Sequence, residues 1–596
     1  LNNCGVVALD YQGKEGVANS IGHSPISGLI DPVAGAKNSI AEALTNIIWA
    51  PLEDNLTSVS LSANWMWPCN NPGEDARLYD AVKAVSEFSI NLGINVPTGK
   101  DSLSMKQRYK DKEVLSPGTV IISAAGHCDD ITNVVKPVFQ KDGGAIYYLD
   151  FSQDELKLGG SAFYQILSKI GNEAPTVNQD SKFKIKFDAI QTLIKEGKIV
   201  SGHDISSGGL LTTLLELCFA ENDLGADLDF NNFKEKDIFK LFFAENAGIV
   251  IQAKEDLTED LKRLDLDPVC LGHVTSSGQL SIKHESSSFD FDINTYRNYW
   301  LQPSYEFDKH QSGKKKAKER HDNFKHNGLK FKFPAHFDGK LKPVDGKRIK
   351  AAIIREKGSN SEREMAKAMH LAGFDVKDIH MTDLMSGAET LEDVQFIAAV
   401  GGFSNSDVLG SAKGWAGAFK YNENANLALR NFFNREDTLS LGVCNGCQLF
   451  VELGLITPGH EEKPKMLHND SGKFECRFTA VTVAESNSIM LKSLEGSTLG
   501  IWAAHGEGKF HLPLQESEYS IPAKYFREEF PCNPNGSDYN AAMLCDDTGR
   551  HLVMMPHLER STFPWNWAHY PKDRKADEVS PWIEAFQNAK HWLENA

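Results

Sequence analysis

No uninterrupted apolar run of about 18 residues occurs in the 596-residue chain, so no membrane-crossing helix is expected. A positive excess is lacking too: 63 Lys and Arg stand against 81 Asp and Glu, a net charge of −18. That balance argues against a general nucleic-acid or acidic-membrane binder. Single phosphate sites stay open, because backbone N–H groups build them without a basic face. Paired cysteine spacings are scarce: the ten cysteines are scattered in a pattern that suits reduced, cytoplasmic thiols rather than a disulfide framework. No repeat of 20–50 residues points to a solenoid. The chain does not open on methionine or on a basic-then-apolar signal; "LNNCGVVALDY" reads as domain interior, and a longer polypeptide is expected.

What is present is enough for several ordinary domains, since about 150 residues per domain suggests three to five. Residues 304–345 include "EFDKHQSGKKKAKERHDNFKHNGLK", polar and locally basic without hydrophobic periodicity, and read as a solvated linker rather than a phosphate-binding strip. Residues 346–596 alternate short apolar strands, tight glycine turns and helices, in "IKAAIIRE", "VQFIAAVGGFS" and "TLSLGVCNGCQLFVELG". Such βα units predict an α/β open sheet whose sites lie beyond the strand carboxyl ends, where Gly401, Gly402 and Cys444 fall. Residues 1–132 and 137–303 each mix strands and helices and read as two α+β domains.

Cys444-Asn445-Gly446-Cys447 is a C-x-x-C. A zinc site needs two more ligands at a matching spacing, and the later cysteines are isolated. A thioredoxin-like pair is not excluded by the stretch alone. The flanking residues favour a third reading: strand, Gly442-Val443-Cys444-Asn445-Gly446, then helix makes a nucleophile elbow with helix N–H groups facing an oxyanion.

Gly442-x-Cys444-x-Gly446-x-Gln448 resembles the G-x-C-x-G-x-Q signature of class I glutamine amidotransferases. The resemblance makes Cys444 the nucleophile and Cys447 a bystander. In "MPHLER" it makes His557 the base and Glu559 the carboxylate that fixes the imidazole. It also implies that Gly402 and Asn445 supply oxyanion N–H groups and that Gln448 contacts glutamine. His505, Gly506 and Glu507, in "AAHGEGKF", look substrate-side; His505 ranks below His557 as base because only His557 is followed by a carboxylate. The implied chemistry is acyl transfer through a thioester, releasing ammonia for an acceptor domain.

In the first 303 residues, Glu42 and Asn46 lie four apart on a predicted helix, and "SGHDISSGGLL" places Asp204 in a glycine-rich turn. "PTGKDSLSMK" reads as a glycine-lysine loop in which Lys100 is a weak phosphate candidate. Together with "PGEDARLYDAVKA", "GFS…DVLGSAKGWA" and "NPNGS", these strings resemble the large-type phosphoribosylformylglycinamidine synthases. That family's synthetase halves share the aminoimidazole ribonucleotide synthetase fold. The resemblance implies ATP or ADP and Mg2+ on Glu42, Asn46 and Asp204, with Ser206 near the nucleotide. It implies glutamine, ATP and formylglycinamide ribonucleotide as substrates, a preceding N-terminal part of the same polypeptide, and neither nucleic acid nor membrane as partner. Asn3 stands where a metal-binding Asp is common, and Ser206-Ser207 where Ser-Asp is frequent. The chain is expected to keep glutaminase chemistry without completing amidine synthesis alone. The competing readings are a glutaminase on a non-catalytic scaffold and a zinc or redox module.

Overall fold

The computed structural model describes residues 2–596 except Gln12, Asn327 and Asp345; Leu1, noted above, lies outside the described residues. Contacts divide the chain into two compact units, Leu1–Leu301 and Gln302–Ala596.

The first unit holds two sheets. One has five strands in the order Gly5–Ala8, Gly16–His23, Thr119–Cys128, Ser60–Met66 and Asn95–Ser102. Every second residue of Thr119–Cys128 is buried, the period of a sheet with one face on the core. Helix Pro32–Ile47 packs there, capped at its start by the Asp31 carboxylate on the Val33 and Ala34 N–H groups. The other sheet has seven strands and ends in Ile146–Asp150, Gly248–Ala253 and Ile199–Asp204. Gly248–Ala253 is buried along its whole length, as a strand covered on both faces must be. Apolar residues of both sheets' surroundings join in one cluster that includes Ile47, Trp49, Tyr147, Phe187 and Ile251. Buried Gln191 ties the turn after the first long helix in place, its Oε1 accepting from Leu52 N at 2.8 Å and its Nε2 donating to Ala50 O at 3.1 Å. Lys100 is not in a loop as expected: it lies in strand Asn95–Ser102, its Nζ donating to Asp101 O at 2.9 Å.

The second unit is built on a six-stranded sheet in the order Phe374–His380, Ile349–Arg355, Phe396–Ala399, Leu439–Val443, His551–Met554, Met543–Cys545. The first five run parallel and the last pair antiparallel. Phe396–Ala399 and Leu439–Val443 are buried at every position, which is why they read as unbroken small-apolar runs. Their carboxyl ends deliver Gly401 and Cys444 to the same edge.

The first half of the stretch read as a solvated linker is helical. Helices Ile293–Gln311 and Gly313–Asn323 cover much of it, and the second is docked. Lys316 and Ala317 are buried. Arg320 lies 4.8 Å from the Phe530 ring centroid and Lys316 5.9 Å; Glu319 Oε2 accepts from Phe530 N at 3.2 Å, and Asn323 Nδ2 donates to Phe530 O at 3.0 Å. Cation–π and charge-assisted contacts do the docking, and a search for hydrophobic periodicity is blind to them.

Trypsin is expected to cut slowly after exposed Lys314, Lys315 and Lys318. Phe530→Ala removes the ring from Lys316 and Arg320 of that helix, worth about 1.4 kcal/mol together, and should speed that cleavage about tenfold. A time course by mass spectrometry with equal rates in both proteins would show that the helix is not held there.

Candidate active site

Cys444 sits between strand Leu439–Val443 and helix Asn445–Glu452 with φ 51° and ψ −104°, a left-handed conformation that side chains rarely adopt. Its neighbours are crowded enough to impose it. A Cβ on Gly446 would lie 2.0 Å from the Ala399 carbonyl oxygen, and one on Gly442 would lie 2.7 Å from the Gly446 oxygen. Glycine at both positions lets the helix start directly against the neighbouring strand. Cys444 N donates to Met554 O at 2.8 Å, which closes the turn against the next strand. Asn445 opens the helix, so its N–H is one of those without an intrahelical acceptor.

His557 and Glu559 follow strand His551–Met554. His557 Nδ1 and Glu559 Oε1 are 2.6 Å apart with both side chains buried, and His557 N donates to Trp502 O at 2.7 Å. Burial alone would push the imidazole down. The adjacent Glu559 charge and the polar contact with Cys444 overcome that and raise His557 to about 10, while the imidazolium holds Glu559 below the usual carboxylate range against its own burial. The Cys444 sulfur also lies 3.6 Å from Ala504 O. A Cβ on Gly401 would strike His557 Cε1 at 2.8 Å with Cys444 Cβ at 3.5 Å, so this glycine leaves the room between His557 and Cys444.

Cys444 opens into a cavity of about 220 Å³ that Gly402, Gln448, His505, Gly506 and Glu507 also line. Gln448 Nε2 donates to Glu507 O at 2.7 Å and its Oε1 accepts from Asn445 Nδ2 at 3.0 Å, so Asn445 and Gln448 brace the wall. His505 is also buried, and burial together with the His557 charge lowers it to about 3. One histidine is therefore charged and the other neutral. Cys447 is fully buried in the first turn of the elbow helix, and burial pushes its thiol well up. Sequence reading missed Asn469, which ties two walls together: its Nδ2 donates to His505 O at 2.7 Å and to Lys473 O at 3.1 Å, and its Oδ1 accepts from Gly508 N at 3.0 Å. A buried asparagine in "LHNDSGK" carries no spacing signal that would have found it.

The first unit has its own cavity, about 340 Å³, lined by His23, Asn38, Glu42, Ser206 and Glu245 among others. Glu42 Oε2 accepts from His23 N at 2.7 Å and Oε1 from Ser206 Oγ at 2.8 Å. Asp204 does not line this cavity; its Oδ1 meets His203 Nδ1 at 3.0 Å and its Oδ2 is buried without a partner. His203, bridging to Glu216 Nε2-to-Oε2 at 3.0 Å, is raised to about 9 by those carboxylates in spite of burial. Burial pushes Glu42 up and the Asp204 charge adds to it. Asn46 lies half-buried one helical turn beyond Glu42. Asn3 donates from Nδ2 to Gly202 O at 3.1 Å, and its Oδ1 is buried without a partner. Among the described residues no three His, Cys, Asp or Glu side chains cluster to hold a metal. Glu245, whose Oε1 accepts from Gly208 N at 2.8 Å and Ala162 N at 2.7 Å, had no sequence signal.

Residues 348–593, which hold the Cys444 elbow and the buried His557–Glu559 pair, match the CobB/CobQ-like glutamine amidotransferase domain. Residues 1–127 match the FGAR-AT PurM_N-like domain and 141–285 the C-terminal domain of AIR synthase related proteins. The chain is 39% identical over 632 residues to a probable phosphoribosylformylglycinamidine synthase, chloroplastic/mitochondrial, of Arabidopsis thaliana, covering 100% of this chain and 44% of the relative. It is 38% identical over 631 residues to the phosphoribosylformylglycinamidine synthase of Homo sapiens, covering 99% and 47%. With that of Dictyostelium discoideum the figures are 36% over 655 residues, 100% and 48%. The chain is similar along its whole length to these phosphoribosylformylglycinamidine synthases and spans about half the length of the curated relatives it matches. No helix among the described residues is long and apolar enough to cross a membrane.

The buried pair fixes a pH signature. His557, raised from 6.5 to about 10, contributes stability that is fully present below about pH 6.5 and lost as pH rises towards 10; Glu559, lowered from 4.5, contributes above about 4.5 and loses it as pH falls. The stability gap between the native chain and Glu559→Gln should therefore be widest near pH 4.5–6.5 and shrink up to pH 10. Urea titrations across that range check it; a gap that grows with pH would contradict the pairing.

Proposed function

We propose that this chain is the glutaminase and one synthetase half of an ATP-dependent phosphoribosylformylglycinamidine synthase. The whole enzyme would convert formylglycinamide ribonucleotide, glutamine and ATP into formylglycinamidine ribonucleotide, glutamate, ADP and phosphate. The observation that carries the glutaminase part is His557, held at 2.6 Å by Glu559 with Cys444 as its other polar neighbour at the mouth of a cavity. Cys444 sulfur attacks the side-chain amide carbon of glutamine, and the carbonyl oxygen takes up the negative charge near the N–H groups of Gly402 and Asn445. His557 passes the thiol proton to the nitrogen as the C–N bond breaks, releasing ammonia and leaving a thioester. Water, its proton taken by His557, attacks that thioester and frees glutamate. Glu559 holds the imidazole in one orientation and stabilises its charged form.

In the first unit, Glu42, Asn46 and Asp204 would hold Mg2+, and Ser206 would lie by the nucleotide. The residues fit a hard cation: the donors are all oxygen or amide, Asp204 Oδ2 and Asn3 Oδ1 are buried without partners, and burial with the nearby Asp204 charge makes Glu42 costly to ionise. Mg2+ there would neutralise phosphate charge. The reading places the whole protein in the cytoplasm and makes its N-terminal part the partner that completes amidine synthesis.

Cys444→Ala is expected to lower glutamine hydrolysis by at least about 10³-fold, and Cys447→Ala to leave it within about threefold; equal loss in both variants would favour a cysteine pair acting together. Asp204→Asn should weaken Mg2+-dependent nucleotide binding by about 10–100-fold, read by calorimetry with and without Mg2+. Identical isotherms for both proteins would remove Asp204 from the metal site.

A further inference from the structure

Helix Gly313–Asn323 and the end of helix Ile293–Gln311 lie outside the amidotransferase match, which starts at residue 348. Their charged side chains nevertheless reach the back of the Cys444 cavity. The connection is the segment 468–474. On one side it lines the cavity with His468, Gly472, Lys473 and Phe474. Its backbone is tied to the wall that carries His505 and Gly506: Asn469 N donates to Gly506 O at 2.9 Å, and Asn469 Nδ2 donates to His505 O at 2.7 Å.

The other side of the segment is charged and held at two points. At the first, Asp470 Oδ1 accepts from Lys509 Nζ at 2.8 Å, and Asp470 Oδ2 lies 3.7 Å from Lys316 Nζ. Asp470 N donates to Asn535 O at 3.1 Å. A Cβ on Gly536, whose φ is 78°, would lie 2.2 Å from Asp470 Oδ2, so the glycine of "NPNGS" is what admits the carboxylate. Lys316 is 8% exposed, and its Nζ also donates to Glu319 Oε2 at 2.9 Å. At the second point, Lys473 Nζ lies 3.8 Å from Asp308 Oδ1. Asp308 is equally buried at 8%; Ser312 Oγ donates to its Oδ1 at 2.6 Å, and Arg320 Nη1 is 2.9 Å from the same oxygen. Its Oδ2 is buried without a partner, so the carboxylate is still short of donors. Ion pairs of this length on an open surface would contribute little. Here the helix partner of each pair is buried, and removing it leaves a charge poorly compensated. The elbow and the base are anchored elsewhere, Cys444 N on Met554 O and His557 N on Trp502 O.

We propose that Lys316 and Asp308 are positioning residues for the glutaminase: acting through Asp470 and Lys473, they hold segment 468–474 in place as the cavity wall. The two helices then belong to the working glutaminase, although its sheet runs from strand Ile349–Arg355 onward. The inference rests on the glutaminase reading above. Because Cys444 and His557 are fixed by other elements, loosening the wall weakens capture of the substrate without slowing the chemistry at sulfur.

The test uses the full chain and two electrophiles on Cys444, a glutamine-like diazoketone and iodoacetamide, with labelling followed by mass spectrometry. Lys316→Met and Asp308→Asn keep size and remove one charge each. In both, the half-saturating diazoketone concentration should rise about tenfold, as for the loss of one charged hydrogen bond, while the limiting diazoketone rate and the iodoacetamide rate stay within about twofold. Lys316→Arg, which keeps the charge, should restore most of the native value. Half-saturation unchanged in both variants overturns the assignment. So does a fall in the iodoacetamide rate that matches the loss of diazoketone labelling, because the helices would then support the whole domain rather than the wall. Lys316→Arg behaving like Lys316→Met overturns it as well. A native chain whose diazoketone labelling does not saturate overturns the glutaminase reading itself.

Discussion

Everything at the Cys444 site depends on how closely one helix can start against one strand. The Gly446 backbone rests on the Ala399 carbonyl with no room for a methyl group, and Gly442 rests on Gly446 in turn. That approach forces Cys444 into φ 51° and lifts its sulfur out of the sheet edge. The same approach brings the end of strand Phe396–Ala399, with Gly401 and Gly402 after it, beside the helix N-terminus. The positions of Cys444, Gly402 and Asn445 and the space beside His557 thus follow from a single backbone contact.

Electrostatics then assigns roles inside that frame. Two buried histidines lie near the cysteine, and burial works against charge on both. His557 is charged because Glu559 is 2.6 Å away; His505 is neutral because its neighbour is an amide and the His557 charge repels a proton. The carboxylate two residues after His557 is what separates a charged histidine from a neutral one.

The first unit uses the opposite device. Burial and the nearby Asp204 charge raise the Glu42 carboxyl, and Asp204 Oδ2 and Asn3 Oδ1 lack partners. His203 and Glu216 brace Asp204 from behind. A carboxylate raised by its surroundings beside a buried, unpartnered carboxylate oxygen is a poor structural element and suits a cation, in keeping with the magnesium proposed there.

Much of this was legible in the chain. The buried strands read as apolar runs, the elbow as glycines around Cys444, and the base as a histidine with a carboxylate two residues on, because these features are local and covalent spacing carries them. The docked helix at 313–323 was not legible: its contacts are guanidinium, ammonium and carboxylate groups reaching Phe530 and Asp470, far later in the chain, where no periodicity records them. Lys100 read as a loop residue because Gly99 and Asp101 flank it, yet pairing with strand Ser60–Met66 makes the segment a strand. Asn469 and Glu245 belong to the same class. What the sequence determined by itself was the backbone grammar and which residues, Cys444, His557 and Glu559, are candidates for nucleophile, base and carboxylate. Which side chains are buried, and hence which are charged, was decided only by the tertiary structure, because desolvation depends on neighbours distant in the chain.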